Sequence, residues 1–261
     1  GVTRELEDPS GRAMDSFYSA LLATASSRDA RITRISHWGD STIASDDVTS
    51  TLRRRLQKRF GDAGHGFLLI GNGTMPYRHK DVVNTESGNW TVHSVIYDER
   101  SDGRYGFGGH LHRGRGDGRS RFSTVEKGAV GKAVSRFELF YQTHPGGANV
   151  EMSVDGETPR KVVTRSQDVA DSWEAIDVPD GAHSLSLRVA SGGEARLYGM
   201  VMERPGPGVV YDSLGIVGAR AARILNMDEK HLAGQVAHRS PDLLVIAFGG
   251  NEADDKGMNY E

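Results

Sequence analysis

The stretch HWGDSTIASDD, His37 to Asp47, decides how this chain is read. A β-prone segment, Arg31–His37, leads into Gly39-Asp40-Ser41, and a helix is expected to begin just beyond, at Asp46 or Asp47. A serine on a tight turn between a strand and a helix stands clear of the sheet. Neighbouring backbone N–H groups there point at the place where a carbonyl oxygen would gain charge. The spacing therefore predicts Ser41 as a nucleophile, and the chemistry that suits it is ester hydrolysis.

On the N-terminal side, residues 1–12 are polar and expected to be loose. From about Arg12 to Ser27, Met14, Phe17, Leu21 and Ala25 fall on one face of a helix that would pack on a sheet. On the C-terminal side, Val48, Leu52, Leu56 and Phe60 recur every four residues and form an apolar stripe. Asp46 or Asp47 can cap that helix and Gly61 can end it. Arg53, Arg54, Arg55, Lys58 and Arg59 crowd its second half, which reads as a solvated face suited to the negative end of the helix dipole.

After Phe67-Leu68-Leu69-Ile70 the helical period vanishes, from roughly Gly71 to Glu203. Short alternating runs replace it: Trp90–Tyr97, Ser135–Tyr141, Asn149–Val154, Glu174–Val178, His183–Val189 and Ala195–Glu203. Asp155-Gly156 and Asp180-Gly181 read as hairpin turns. Strands at this spacing predict a β-sandwich. The glycine- and arginine-rich segment Gly103–Arg121 reads as a long surface loop.

Pro205-Gly206-Pro207-Gly208 is a hard break. Val209-Val210-Tyr211 then reads as a strand, Gly218–Leu225 as the start of a helix, and Asp228–His238 as a second helical stretch. Asp242–Phe248 is an almost unbroken apolar run ending in Gly249-Gly250-Asn251-Glu252, as a parallel strand buried on both faces requires. The fold class predicted is α/β: a three-layer α/β/α sandwich with a parallel sheet, interrupted by an inserted all-β sandwich. Its parts are residues 13–70, an insert over 71–205, and 206–261.

The chain has 261 residues, enough for a sizeable core, and a net charge of −3, which gives no global basic field for nucleic acid. Cysteine is absent, which excludes disulfides, a thiolate nucleophile and a cysteine-based zinc site. No cofactor and no metal are called for. No apolar run is long enough to span a membrane, and the start at Gly1 leaves room for a removed N-terminal signal or anchor.

Three blocks, GDS at 39–41, GIVGA at 215–219 and GGNE at 249–252, resemble in order the first three sequence blocks of the SGNH (GDSL) hydrolase superfamily. Each falls at the C-terminal end of a predicted strand, where open α/β sheets place their sites. Within that superfamily the chain is similar to bacterial peptidoglycan O-acetylesterases, which carry a carbohydrate-binding-like β-sandwich between the serine block and the later ones. The resemblance implies Ser41 as the nucleophile, with its own N–H, the Gly218 N–H and the Asn251 side-chain amide as oxyanion donors. It also implies an O-acetylated cell-envelope glycan as substrate, export to the periplasm or outside the cell, and a hydrolase domain incomplete at the C-terminus.

The superfamily draws its base from a later Asp-x-x-His block, and no such block follows Asn251. The resemblance therefore implies that this chain alone lacks the Asp-His pair, and that a separate C-terminal segment completes the domain. Asp62/His65, Asp180/His183 and Asp228/His231 have the spacing but precede the Asn251 block, and are read as incidental. His37 is read as a strand residue packed beside the site. Two other readings stay open: a carbohydrate-binding or scaffold protein without turnover, and an esterase for lipids or small esters.

Overall fold

The computed structural model describes residues 7–27, 30–72, 77–97 and 100–254. In chain order, α1 (Asp15–Ala25), β1 (Ile32–Gly39), α2 (Ser41–Ala44), α3 (Asp47–Phe60) and β2 (Gly64–Leu68) come first. A run of strands follows: β3 (Val82–Ser87), β4 (Trp90–Ser94), β5 (His110–Gly114), β6 (Arg119–Thr124), β7 (Val134–Thr143), β8 (Asn149–Val154) and β9 (Arg160–Val163). It continues with β10 (Ala170–Gly181), β11 (Ser184–Val189) and β12 (Ala195–Glu203). β13 (Gly208–Gly215), a 3-10 turn at Ala221–Asn226, α4 (Glu229–Arg239) and β14 (Leu243–Ala247) close the described chain, with a last 3-10 turn at Glu252–Asp254.

The result is a mixed α/β fold in which most strands are antiparallel. β1 lies between β13 and β14 in a three-stranded parallel sheet, with Gly39 in register with both Gly215 and Ala247. The strands thus end level, and the three turns that follow them share one rim. Side chains alternate across this sheet. Ile35, Val209, Tyr211, Leu243 and Val245 point one way, onto Phe17 and Leu21 of α1 and Leu56 and Phe60 of α3. Trp38 and Leu214 point the other way, into a cluster with Phe67, Phe140 and Tyr198 that also receives Leu232 and Val236 of α4. Helices α1 and α3 therefore cover one face, and the other is shared by α4 and the sheet that contains β2.

The remaining strands form two antiparallel sheets, β10-β7-β12-β5-β4 with β2 on β12, and β3-β6-β11-β8-β9. Phe122, Leu139, Met152, Leu187 and Leu197 fill the space between them. No described strand of residues 71–203 enters the parallel sheet. β2, however, which the sequence groups with the first hydrolase segment, pairs antiparallel with β12 over Leu68–Gly64 and belongs to the sandwich.

Four local expectations are corrected. On α3 the buried face is Thr49, Ser50, Arg53 and Gln57, while Val48 and Leu52 are exposed. The sheet beneath offers polar partners: Thr49 meets the Ser213 hydroxyl at 2.9 Å, and Gln57 donates to the Gly64 and Val209 carbonyls. Arg53, assigned to a solvated face, is buried in an ion pair with Asp46. The segment Gly103–Arg121 is no loose loop. It supplies β5 and the start of β6, with Phe107 and Leu111 in the core. Its glycines let bulky neighbours close in, since a Cβ on Gly106 would sit 2.4 Å from Tyr198. Finally, Asp155-Gly156 does turn β8 into β9, with φ of 50° and 79°. Asp180-Gly181 instead ends β10 and carries the chain from one sheet to the other.

Candidate active site

Gly39 ends β1 against two walls. A Cβ there would lie 2.3 Å from Ile43 Cγ1 and 2.6 Å from the Ala247 carbonyl oxygen. Gly215 is as confined, with a Cβ falling 2.0 Å from the Ala44 N. These two glycines let the short helix α2 settle onto the end of β13, and Ile216 N–H donates to the Gly39 carbonyl at 2.9 Å. Asp40 caps α2: its Oδ1 accepts the Thr42 N–H at 2.9 Å, and its carbonyl accepts from Ile43 and Ala44. Ser41 is thereby held on the first turn with its side chain exposed, and its hydroxyl takes part in no hydrogen bond among the described residues.

The two later blocks meet this turn. Gly218 has φ +78°, a left-handed conformation that favours glycine, and it is exposed. A Cβ there would approach only Ile96 and Tyr97, at 3.8 Å, so the sandwich reaches the rim at this point. Asn251 donates its Nδ2 to the Ala219 carbonyl at 2.9 Å, which ties the GGNE turn to the Gly218 loop. One of the two N–H bonds of that amide remains for another acceptor. Glu252 reinforces the tie, accepting from Ala221 N at 2.6 Å and from Gly249 N at 3.0 Å. A Cβ on Gly250 would lie 3.0 Å from Asp40 Oδ2, so the same turn also borders the serine cap. The three turns thus border one another on the rim, with Asn251 bonded to the loop of Gly218 and Gly250 beside the Asp40 cap of Ser41. Residue patterns had not marked Gly39, Gly215, Glu252 or Tyr97 for this role. The glycines stand inside the quoted blocks, and nothing local marks Tyr97, which arrives from a distant loop. Beside the GGNE turn is an apolar hollow of 520 Å³ lined by Ala221, Ile246 and Phe248.

His37 and the histidines of the three Asp-x-x-His spacings are committed elsewhere. Asp62 holds the Gly64 N–H, while His65 is buried between the Asp81 and Gly131 carbonyls, and burial lowers it to about 4. Asp180 binds Arg204, and His183 lies 2.6 Å from Asp155. Asp228 caps α4 through the His231 N–H, whereas the His231 ring is buried between Asp171 at 2.6 Å and the Gly106 N–H at 2.8 Å. An imidazole whose Nε2 accepts from a backbone amide has no lone pair left for a serine proton. His37 meets the Tyr211 hydroxyl at 2.8 Å on the face covered by α1 and α3, and burial lowers its pKa. None of the Asp-x-x-His spacings forms its own side-chain pair, and no histidine bonds Ser41 among the described residues.

No group of three or more metal-binding side chains gathers among the described residues. No family model matches the chain, and no curated protein matches it. Solved structures do. One, a peptidoglycan O-acetylesterase, superposes with a TM-score of 0.74 at 22% identity, over 94% of this chain and 63% of that one. The fold is shared with that enzyme. An exo-beta-1,3-galactanase from Phanerochaete chrysosporium (TM-score 0.34, 16% identity, 54% of this chain and 29% of that one) is too distant to support an argument. So is a family 35 carbohydrate binding module from Clostridium thermocellum (TM-score 0.32, 12% identity, 48% of this chain and 98% of that one).

Proposed function

We propose that the chain is the larger part of an SGNH-type serine esterase that removes O-acetyl groups from a cell-envelope polysaccharide, with peptidoglycan as the favoured substrate. The observation that supports it best is the shared rim, where an exposed serine, a left-handed glycine amide and a side-chain amide follow three level parallel strands. In this reading Ser41 Oγ attacks the acetyl carbon. The carbonyl oxygen gains charge within reach of the Ser41 N–H, the Gly218 N–H and Asn251 Nδ2. Collapse of the tetrahedral intermediate breaks the bond to the sugar oxygen, which leaves as a hydroxyl. Water then cleaves the acyl-enzyme and releases acetate.

The base that accepts the serine proton lies, in this reading, on a segment outside the described residues, because no described histidine hydrogen-bonds Ser41 and the histidines of the Asp-x-x-His spacings are engaged elsewhere. That segment would pack on β14. This strand is at the edge of the parallel sheet, and Leu244 (46% exposed) and Ile246 (70% exposed) stand uncovered on it. Packing there would complete the three-layer α/β/α arrangement. No helix among the described residues is long and apolar enough to cross a membrane; placement in the periplasm or outside the cell is part of the proposal. The lack of a histidine on Ser41 also favours a second reading, a glycan-binding protein without turnover. Hydrolysis of p-nitrophenyl acetate against longer acyl esters by the full-length protein separates the two. Acetate preference supports deacetylation, long-chain preference points to a lipid esterase, and no hydrolysis supports the binding reading.

A further inference from the structure

At one end of the sandwich, three guanidinium groups converge on a single carboxylate. Glu194 Oε2 accepts from Arg113 Nη2 at 2.5 Å and Arg115 Nη2 at 3.0 Å, and its Oε1 accepts from Arg196 Nε at 3.0 Å. Arg113 on β5 stands directly opposite Arg196 on β12. Like charges facing each other across a ladder are destabilising unless something neutralises them. Glu194 is mostly buried; burial would raise its pKa, but the three arginines hold it at about 2, so it is a carboxylate throughout. It balances only one of the three charges. Of the other nearby acids, Asp117 is held by the backbone and side-chain amides of Asn89, and Asp102, which feels the Arg196 charge, is itself paired with Arg100. A fourth arginine, Arg165, donates to the Gly147 and Gly192 carbonyls at the border of the same region.

Hollows of 470 Å³ and 240 Å³ flank the cluster and share Arg113, Arg115 and Glu194 as walls. The larger is floored by Gly146 and Gly193, and a Cβ on Gly193 would lie 2.7 Å from the Gly146 carbonyl, so that floor stays bare backbone. The smaller is bordered by Asn89 and Thr91. A bare backbone and short polar groups suit sugar hydroxyls. The combined space exceeds what one small ion fills, and the surplus positive charge selects an anion.

We propose that this cleft is a second binding site that takes a carboxylate carried on a polysaccharide strand, as on the lactyl group of a muramic acid residue that bears no peptide. The choice of polymer rests on the esterase reading; the selection for anionic over neutral glycan does not. The test is calorimetric titration of the full-length Ser41→Ala protein, so that binding is read apart from turnover. The ligands are a hexasaccharide of alternating N-acetylglucosamine and N-acetylmuramic acid with free lactyl carboxylates, chitohexaose as its neutral counterpart, and inorganic phosphate. The site predicts preference for the muramic oligomer over chitohexaose by about tenfold or more, the scale of one charge-assisted hydrogen bond, weakening as salt is added. Arg115→Gln, at a side chain 73% exposed, is expected to remove most of that preference with the melting temperature unchanged. Equal binding of both oligomers, no binding of either, or an unaltered preference in Arg115→Gln would overturn the proposal. Phosphate binding as tight as the oligomer would reduce the cleft to an ion site and also overturn it. Loss of acetate release on Ser41 is a separate readout and bears only on the esterase reading.

Discussion

Ser41 is displayed because two glycines disappear beneath it. Gly39 and Gly215 allow a helix of one turn to rest on a strand end, and any side chain at 39 meets the Ala247 backbone. Gly39→Ala is therefore expected to destabilise the protein by about 1–3 kcal/mol, the range for overpacking a filled site. A thermal melt checks this, and an unchanged melting temperature would show that α2 is free to move aside. At the same scale, the buried Glu203 carboxylate joins Arg34 and Arg239, with Arg239 also bidentate to Asp212. Burial alone would raise Glu203, but the Arg239 and Arg34 charges win and hold it at about 2, below its unfolded value. The stability it contributes is present above pH ~4.5 and is lost as pH falls toward about 2. Glu203→Gln should cost about 3 kcal/mol at neutral pH and flatten that acid limb in urea titrations.

Among the elements, legibility in the sequence followed the kind of partner each face meets. β8 and β11 follow the alternation residue for residue, because one side of each packs on an apolar core. The helix α3 was placed correctly but its buried face was not, because Thr49 and Gln57 face sheet polar groups that no local pattern reveals. β5 was hidden inside a glycine- and arginine-rich run, because its neighbour β12 and the Glu194 that pairs with Arg113 lie far along the chain. The three blocks GDS, GIVGA and GGNE were legible because each is short and ends a strand; their meeting depends on the level register of β13, β1 and β14. β14 carries a prediction of its own. Ile246→Lys should alter stability by no more than about 0.5 kcal/mol in residues 1–261, as for an exposed site. In the full-length protein the same change should lower acetate release, if a further segment packs on that strand. Equal activity of both full-length forms would show that nothing needed for turnover packs on β14.

Across the molecule, the sandwich is more than an appended module. β2 crosses from the serine half to pair with β12, Tyr97 reaches Gly218, and the buried His231–Asp171 contact joins α4 to β10. His231→Ala should thus lower stability by about 1–3 kcal/mol, since it leaves Asp171 and the Gly106 amide without their buried partner. Chemical denaturation reads this directly. Were His231 instead the base, the variant would lose turnover with its stability intact. Every step of the proposed chemistry passes through Ser41, and the most direct measurement is acetate release from O-acetylated peptidoglycan by the full-length protein and its Ser41→Ala variant. The prediction is a loss of roughly 10⁴–10⁶-fold with an unchanged melting temperature, as when the nucleophile of a serine hydrolase is removed. A folded variant that keeps most of the turnover would contradict it.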